Sequence, residues 1–366
     1  MKICIIGGGI SGLSSAILFA KKGHSVVLYE QSMFEKDLIN NIPINISHNN
    51  LFILKNLGIL EKVEDVSEKI YFFELQNFKG DGFLKHAVYD KKSFSLSLSY
   101  AVFKNILVEK AFQTKEIKIN FGVFVPDLEI ENLKLAYDLV VIAEGKMLDT
   151  INYSIIEKEV VSYYLAVEDK YGSKNYKSAF LAASGNLLIK SPIGIVGGKR
   201  MICFNWVEFK ENKVLSKKEF VKMISNYSGS VFLEKLKESE INSINEKSYQ
   251  IKKMIIDNSV YIGYSAFNIK QLNNTSINTS LKDASYLSEI SGGINGLEND
   301  LKEFEKKRIE TRQMKIKNLN LFNLKTGVGK YRFAWLYLLL NGYVHPLFFR
   351  NRKSKFVDKL MSGELD

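Results

Sequence analysis

The sequence predicts an α/β fold in which two subdomains are interleaved and a helical segment follows them. Residues 2–30 contain a strand, a glycine-rich turn, a helix and a second strand, which is a βαβ unit. Residues 160–209 are rich in strand-like apolar runs, whereas the chain after residue 300 has helical spacing. Because α/β and strand-rich regions alternate along the chain, we expect interleaved rather than consecutive subdomains.

The composition is that of a folded protein without a disulfide or zinc scaffold. The chain has 366 residues, of which 46% are hydrophobic and 25% charged, and this excludes a disordered chain. Cys4 and Cys203 lie in apolar strand-like runs, so we predict two buried thiols and no metal site. The opening MKICIIGGG lacks the features of a signal peptide, and no uninterrupted run of about 18 apolar residues follows. We therefore expect a cytoplasmic protein.

The net charge of +11 is concentrated near the end of the chain. Between Lys302 and Asp366 there are 15 basic and 6 acidic residues, a net charge of +9. An anionic membrane surface, an acidic partner or nucleic acid is attracted to such a region. Because the region has no recognised nucleic-acid-binding motif, we expect no nucleic-acid partner. Solvated helix faces in a lysine-rich chain are the simpler interpretation.

The first motif is Gly7-Gly8-Gly9-Ile10-Ser11-Gly12, between the strand at 2–6 and the helix at 13–22. The first glycine permits a tight turn, the second lets the backbone approach a pyrophosphate, and Gly12 lets the helix pack closely on the strand. The pyrophosphate then lies at the helix N-terminus, where free N–H groups and the helix dipole favour an anion. The motif predicts dinucleotide contacts from Gly7, Gly9, Ile10, Ser11 and Gly12.

Glu30 ends the second strand of this unit. At this distance from the glycines, an acidic side chain accepts hydrogen bonds from the ribose hydroxyls of an adenosine. Its charge repels the 2′-phosphate of NADP, so the motif favours FAD or NAD, and we expect the neighbouring Gln31 to contribute to the same site. The alternative is a glycine-rich turn that has lost its ligand.

Hydrophobic periodicity predicts the elements that follow. Ser216 and Glu219 form a capping box that opens one of the helices. Helices are predicted at 49–62, 100–113, 216–227, 277–290 and beyond 300. Strands are predicted at 71–75, 83–89, 94–98, 117–121, 139–143, 160–167, 179–183, 187–191, 201–209, 247–256 and 260–263.

Two further motifs follow predicted strands. One is Asp138-Leu139-Val140-Val141-Ile142-Ala143-Glu144-Gly145, and the other runs from Val260 to Ala266 and continues with Asn278, Asp283-Ala284 and Leu287. With the glycine-rich motif, they resemble the flavin-dependent aromatic hydroxylases of the para-hydroxybenzoate hydroxylase type. That family includes ubiquinone-biosynthesis hydroxylases, and geranylgeranyl reductases are more distant relatives. The resemblance covers roughly residues 1–315.

The chain departs from the family pattern mainly in the third motif. Tyr264 replaces the aspartate that binds the ribityl chain of FAD, and Asn274 and Ser276 replace two glycines that let a helix approach the flavin ring. Gln271 replaces a proline, Tyr100 an arginine and Glu144 an aspartate. The resemblance thus implies an intact ADP half and a degenerate flavin half. The further cofactor contacts that it implies are Tyr100, Glu144, Gly145, Gly263, Tyr264, Asn274, Ser276, Ile277 and Asn278.

The resemblance implies an FAD-dependent monooxygenase that uses NAD(P)H as a transient reductant and O2 on a small aromatic or hydrophobic substrate. A geranylgeranyl-reductase-like flavoprotein is one alternative. A non-catalytic relative that keeps the fold, and with it an adenine nucleotide, is another, in which the protein acts as a binding or scaffold partner. No catalytic residue is predicted, because in this family the cofactor carries the chemistry.

The resemblance also implies a Rossmann-like FAD-binding domain interleaved with a mostly antiparallel substrate sheet. The expected parts are 1–70, 99–155 and 250–315 for the FAD-binding domain, 71–98 and 156–249 for the sheet domain, and 316–366 for a helical basic segment. Aromatic residues of the strands either line the pocket or belong to the core, and alternation favours the core. They are Phe72, Phe94, Tyr163, Tyr164, Phe204 and Trp206. For His24 and His86 a structural role is favoured.

An apolar, aromatic segment lies near the C-terminus, at 331–349, with basic residues on both sides as far as 355. Gly342 and Pro346 interrupt it, which argues against a spanning helix. An interfacial anchor on the inner face of the membrane fits this pattern. A terminal helix pair packed on the core, or a dimer interface, is the favoured alternative. The oligomeric state is not predicted.

Overall fold

The protein is described here by a computed structural model. It describes residues 1–33, 41–77, 82–87, 94–145, 153–169, 176–181, 187–208, 216–228, 241–268, 275–290 and 293–326. Within these residues the strands form three sheets of six, eight and three strands. The α/β fold with a parallel core, predicted from the sequence, is confirmed.

The six-stranded sheet is parallel except at one edge. Its order is β15-β16-β9-β1-β2-β8, and only the β15–β16 pair is antiparallel. Strands β1 and β9 are apolar and almost fully buried, as expected for parallel strands covered on both faces. The strands are β1 (Lys2–Ile6), β2 (Ser25–Glu30), β8 (Ile117–Phe121), β9 (Leu139–Ile142), β15 (Ile255–Ile256) and β16 (Ser259–Tyr261).

Helices cover both faces of this sheet. Ile3 and Ile5 of β1 face the main core, which includes apolar residues from α1, α4 and α7. Cys4 and Ile6 face the other side, where Ile130 and Leu133 of α5 cover them. The sequence analysis missed α5. The helices are α1 (Ile10–Lys21), α2 (Leu51–Leu57), α3 (Leu60–Val66), α4 (Tyr100–Phe112), α5 (Asp127–Ala136), α6 (Lys217–Ser228), α7 (Thr275–Ser288) and α8 (Gly293–Thr326).

The eight-stranded sheet is antiparallel except where β11 pairs with β5. Its order is β17-β14-β10-β13-β12-β11-β5-β6. One face packs under α6, whose capping box forms as predicted, with Glu219 N–H donating to Ser216 Oγ at 3.2 Å. The strands are β5 (Phe72–Asn77), β6 (Gly82–Ala87), β10 (Tyr153–Glu168), β11 (Tyr176–Leu181), β12 (Leu187–Val196), β13 (Lys199–Glu208), β14 (Asn242–Ile251) and β17 (Phe267–Asn268).

The aromatic residues of this sheet alternate between its two faces. Tyr163, Phe204 and Trp206 are buried on the face under α6. Tyr164 is buried on the opposite face, where Ile193 and Cys203 lie. The core interpretation of Tyr163, Phe204 and Trp206 agrees with their burial. The side chain of Phe72 is outside the described residues, as is that of His86.

A three-stranded antiparallel sheet joins the two larger ones, in the order β3 (Pro43–Ile46), β7 (Ser95–Ser99) and β4 (Glu68–Ile70). The sequence analysis missed β3 and β4, and it grouped β7 with the large sheet, which the strand pairing contradicts. The Ser97 hydroxyl donates to the Pro192 carbonyl of β12 at 2.5 Å. The small sheet is thereby bonded to the large one.

The helix predicted at 49–62 is wrong as a single element, because Gly58 adopts a left-handed conformation (φ 74°) that ends α2 before α3 begins.

The predicted membrane-contact segment at 331–355 lies outside the described residues. Among the helices that are described, none combines the length and apolar character needed to cross a membrane. Both cysteines are buried, as predicted.

Candidate cofactor site

A cleft of about 270 Å³ opens at the carboxyl ends of the parallel strands. Ile6 at the end of β1, Glu30 at the end of β2 and Ala143 just after β9 all line it. Ligands of open α/β sheets bind in this position, because loops there diverge to opposite faces of the sheet. The fold thus brings the first and second sequence motifs together in one cleft.

The glycine-rich turn has little room for side chains, except where it faces the cleft. A Cβ on Gly7 would lie 2.4 Å from the Ala143 carbonyl oxygen, and Gly7 has a φ of 105°. A Cβ on Gly12 would lie 1.9 Å from the Gly7 carbonyl oxygen, so α1 packs directly on the turn. A Cβ on Gly9 would meet no atom within 4 Å. At Gly9 a side chain would enter only the cleft, where a ligand can approach the bare backbone.

The N-terminus of α1 faces the same cleft. Gly9 caps the helix without a side-chain hydrogen bond, and the first turn contains no acidic residue. Ile10 and Ser11, in that first turn, line the cleft. Their backbone N–H groups have no partner within the helix, and the helix dipole adds partial positive charge. This end of the cleft is therefore suited to an anion.

The Glu30 carboxylate is held at the edge of the cleft by the backbone. It accepts hydrogen bonds from Gly8 N–H at 2.5 Å and from Ser32 N–H at 2.9 Å. An ionised carboxylate has about four acceptor positions, so it can accept further hydrogen bonds from ligand hydroxyls. The backbone of Glu30 also accepts a bond from Val123 N–H at 3.0 Å, which places residues 123–125 beside it.

The third sequence motif forms a 3-10 turn, Gly263–Ser265, which is held by hydrogen bonds from other elements. Gly145 N–H donates to Ser265 Oγ at 3.1 Å. The hydroxyls of Tyr153 (β10) and Tyr249 (β14) donate to the carbonyls of Ser265 and Tyr264, each at 2.7 Å. The large sheet therefore fixes the backbone of this turn, and the Tyr264 side chain lines the cleft.

The turn is also anchored to a buried charge cluster. Gly263 N–H donates to Asp283 Oδ2 at 2.9 Å. Arg308 Nε contacts Asp283 Oδ1, and an Arg312 Nη contacts Oδ2, both at 2.7 Å. All three side chains are at most 1% exposed. Asp283 on α7 thus links the cofactor-side turn to two arginines of α8.

The charge cluster changes the acidity of Asp283. Burial alone raises the pKa of this carboxyl, but Arg312 and Arg308, with the Gly263 N–H, outweigh burial. The pKa of Asp283 is therefore below its ordinary value of 3.8, and the carboxylate is ionised at neutral pH. Two arginines against one carboxylate leave an excess of one positive charge within this buried cluster.

The structure brings most of the predicted cofactor contacts to the cleft. Those that line it are Gly7, Gly9, Ile10, Ser11, Glu30, Gln31, Tyr100, Glu144, Gly145, Tyr264 and Ile277. Gly12 and Gly263 lie behind this lining, where they allow α1 to pack against Gly7 and the 3-10 turn against Ser11. Asn274 is outside the described residues.

Two other predicted contacts, Asn278 and Ser276, are buried beside the cleft lining and form hydrogen bonds within the protein. Asn278 accepts hydrogen bonds from Ser47 N–H at 2.9 Å and Asn50 Nδ2 at 2.6 Å, and its Nδ2 donates to the Asn45 carbonyl at 2.8 Å. The buried Ser276 donates to Asn268 Oδ1 at 3.2 Å. These side-chain hydrogen bonds join α7 to β3 and β17.

Several residues of the cleft lining were not predicted from the sequence, and Lys104 is the charged one among them. Lys104 lies one helical turn after Tyr100 on α4, and that spacing was a signal that could have identified it. Residues 123–125 and Ser280 also line the cleft. Loop residues such as 123–125 have no periodic signal. His48 lies outside this lining, 5.9 Å from the Phe94 ring, and His24 Nδ1 lies 3.2 Å from the Met1 amino group.

Comparisons with known proteins agree with this geometry. A family model described as FAD dependent oxidoreductase matches residues 2–35. No curated protein matches the chain significantly.

The structural matches cover nearly the whole chain. The chain is similar to PqsL, a probable FAD-dependent monooxygenase from Pseudomonas aeruginosa, with 15% identity, a TM-score of 0.70 and coverage of 93% of this chain and 99% of that one. The chain is also similar to Klebsiella pneumoniae HpxO, which was crystallised with FAD and uric acid, with 15% identity and a TM-score of 0.73. This match covers 100% of this chain and 96% of HpxO. A third match is the tetrameric form of 2-methyl-3-hydroxypyridine-5-carboxylic acid oxygenase, with 16% identity and a TM-score of 0.69. It covers 93% of this chain and 95% of the oxygenase. The chain thus has the fold of FAD-dependent monooxygenases.

Proposed function

We propose that the protein is an FAD-dependent oxidoreductase of the monooxygenase type that acts on a small aromatic or hydrophobic substrate. The observation that carries the proposal is the cleft itself, where the N-terminus of α1, the bare backbone at Gly9 and the carboxylate of Glu30 meet. The match of residues 2–35 to FAD-dependent oxidoreductases supports FAD as the dinucleotide.

The residues of the cleft fit FAD. The N–H groups of Ile10 and Ser11 would hold the diphosphate, and Glu30 would accept the ribose hydroxyls of the adenosine. Residues 123–125, beside Glu30, would contact the adenine. At the other end, Gly145 and Tyr264 would hold the flavin side. The open space at Gly9, which a Cβ would enter without touching the protein, supports this fit.

FAD, when bound, supplies the redox and oxygen chemistry, and NAD(P)H is proposed as its transient reductant. The chain's own contribution is to position the cofactor and to exclude water from the site. The large sheet is proposed to provide the substrate wall. Ile42 packs on the sheet face that carries Tyr164, and its carbonyl accepts the Tyr100 N–H at 2.8 Å, so this face adjoins the cleft.

The substrate class rests on the chemistry of that face. Tyr164 and Asn205 are cross-strand neighbours on it and are buried, beside Ile189 and Ile193. This mixture of apolar surface with a few hydrogen-bonding groups suits a small aromatic molecule. HpxO was crystallised with uric acid and PqsL with 2-aminobenzoylacetate, which supports the same class.

The first experiment is an absorbance spectrum of the purified protein from about 300 to 550 nm, repeated after addition of FAD and desalting. We expect flavin bands that stay with the protein. Gly9→Ala is the test variant, because its methyl group fills only the cleft, and Gly296→Ala is the matched control, since that position also meets no atom within 4 Å. Loss of flavin in Gly9→Ala but not in Gly296→Ala supports the proposal, and absence of flavin from the wild type contradicts it.

A second candidate function is a non-catalytic relative that binds an adenine nucleotide. The family resemblance implies an aspartate at position 264, and the tyrosine found there favours this non-catalytic function. Retention of ADP without FAD would select this candidate.

A reductase-type flavoprotein would instead oxidise NAD(P)H in the presence of substrate without consuming O2. Oxygen-electrode measurements with phenols and polyenes distinguish the two flavin-dependent reactions.

A further inference from the structure

The cleft contains one cationic side chain that no motif assigns. Among the described residues that line the cleft, Lys104 is the only lysine or arginine. Its side chain is half-buried. Within the described part of the chain, Lys104 forms no ion pair with a carboxylate, although Glu30 and Glu144 line the same cleft. An ammonium group partly withdrawn from water beside a helix N-terminus is a favourable position for an anion.

The position of Lys104 on its helix explains how it reaches the cleft. Residues four apart lie on the same helix face, so Lys104 is next to Tyr100 on α4. The family resemblance implies an arginine at position 100, where this chain has an uncharged tyrosine. Lys104 thus places a cation in the cleft one helical turn after the position where the resemblance implies one.

We propose that Lys104 binds the diphosphate of the dinucleotide, together with the N–H groups at the start of α1. This inference rests on the proposed function, because it needs a diphosphate-containing ligand in the cleft. Glu30 accepts hydrogen bonds at the ribose end, whereas Lys104 offsets one of the two negative charges of the diphosphate. The cleft thus has separate groups for the two polar parts of an ADP moiety.

The test compares ligands that do and do not carry the diphosphate. Lys104→Gln is expected to weaken binding of FAD and of ADP by about 10- to 100-fold, as for loss of one charge-assisted hydrogen bond. Binding of adenosine should stay within about twofold of the wild-type value, and the dependence of FAD affinity on salt concentration should become weaker. Calorimetric titration measures all of these affinities.

Two further variants make the test specific. Lys110→Gln removes a lysine from the other end of α4, away from the cleft, and should leave all affinities unchanged. The double variant Tyr100→Arg/Lys104→Gln should recover most of the lost FAD affinity, because it moves the cation back by one turn. Thermal unfolding of each variant shows whether it is folded.

The outcomes separate this inference from the proposed function. If the wild type binds FAD but Lys104→Gln binds FAD and ADP equally well, then Lys104 is a solvated lysine and the inference fails, while the proposed function stands. An equal loss of adenosine and ADP affinity also overturns it, since the effect would not depend on phosphate. If the wild type binds neither FAD nor ADP, both proposals fail.

Discussion

The two ends of the cleft are built differently. At the end proposed to bind ADP (the ADP end), a ligand would meet mainly backbone, because Gly7, Gly9 and Gly12 leave the N-terminus of α1 bare. At the end proposed to bind the flavin (the flavin end), the turn Gly263–Ser265 is fixed by side chains from distant elements, including Tyr153, Tyr249 and Asp283. The first end is local in sequence, and the second is assembled from across the chain.

At the flavin end, the backbone of the turn does not depend on the residue types that depart from the family pattern. Tyr264 supplies its backbone carbonyl to Tyr249, and that bond does not depend on the identity of the side chain at 264. The conformation of the turn is set instead by the buried Asp283 and its arginines. The sequence motif at this end is degenerate, whereas the network that supports it is intact.

The largest effect is expected at the ADP end, from Gly12→Ala. Its Cβ would lie 1.9 Å from the Gly7 carbonyl oxygen, and the two nearest atoms both belong to the Gly7 backbone, which cannot move aside as a flexible side chain can. We expect a loss of about 3 kcal/mol or more in the free energy of unfolding, and loss of FAD binding. Urea unfolding and flavin retention measure these effects. Gly296→Ala, also in a helix, controls for the intrinsic helix preference of alanine. A Gly12→Ala protein as stable as this control would show that α1 does not pack on the turn.

At the flavin end, Asp283→Asn should cost about 3–5 kcal/mol, because it leaves two buried arginines without a counter-charge. Urea unfolding measures the loss. Glu298→Gln is the control, since it removes only an exposed ion pair with Lys302 and should have little effect. If both variants were equally stable, the buried cluster would not support the turn.

The stability difference between the wild type and Asp283→Asn is expected to depend on pH. The folded pKa of Asp283 lies below 3.8, so the unfolded chain binds more protons as pH falls through this value. The stabilisation from Asp283 is complete above about pH 5 and is lost as pH falls below 3.8 towards the lower folded pKa. The stability difference between wild type and Asp283→Asn should therefore shrink in acid. A difference that stays constant from pH 6 to pH 3 would contradict the assignment.

Tyr264→Asp is expected to have a smaller effect, which is a gain in FAD affinity rather than a loss. The family resemblance implies a carboxylate here that binds the ribityl chain, so restoring it should tighten FAD binding by about tenfold and leave ADP binding unchanged. Titration with both ligands measures this. Tyr264→Phe removes only the hydroxyl and serves as the control. Unchanged FAD affinity in Tyr264→Asp would mean that the flavin does not lie against this turn.

The smallest effect concerns the thiol beside the glycine-rich turn. Burial raises the pKa of Cys4 to about 12, so it should not react with a disulfide reagent at pH 8 while the protein is folded. Cys203 lies buried in the large sheet and reports on the other subdomain. In a Cys203→Ser variant, Cys4 is the one thiol that remains. Its reaction with the reagent at increasing denaturant concentrations then reports unfolding of the ADP end alone. Rapid reaction of Cys4 without denaturant would show that this end opens locally.

The βαβ unit could be predicted because each of its signals is local. Buried apolar strands, three spaced glycines and the acidic end of β2 all lie within residues 2–30, and the structure has the predicted order. The capping box at Ser216 and Glu219 is local in the same sense. In contrast, α5 buries only Ile130 and Leu133 and leaves its other two leucines exposed, so its apolar residues do not mark one clear face. The pairing of β7 with β3 and β4 depends on partners far away in the sequence.

The sequence by itself determined the fold class, the glycine-rich turn and the position of Glu30, because these depend on periodicity and on the steric demands of single residues. Only the tertiary structure decided which side chains meet around the cleft. Lys104 comes from α4, and Asp283 meets arginines 25 and 29 residues further along the chain. Such contacts are set by how helices and sheets pack together, and local spacing contains no record of that packing.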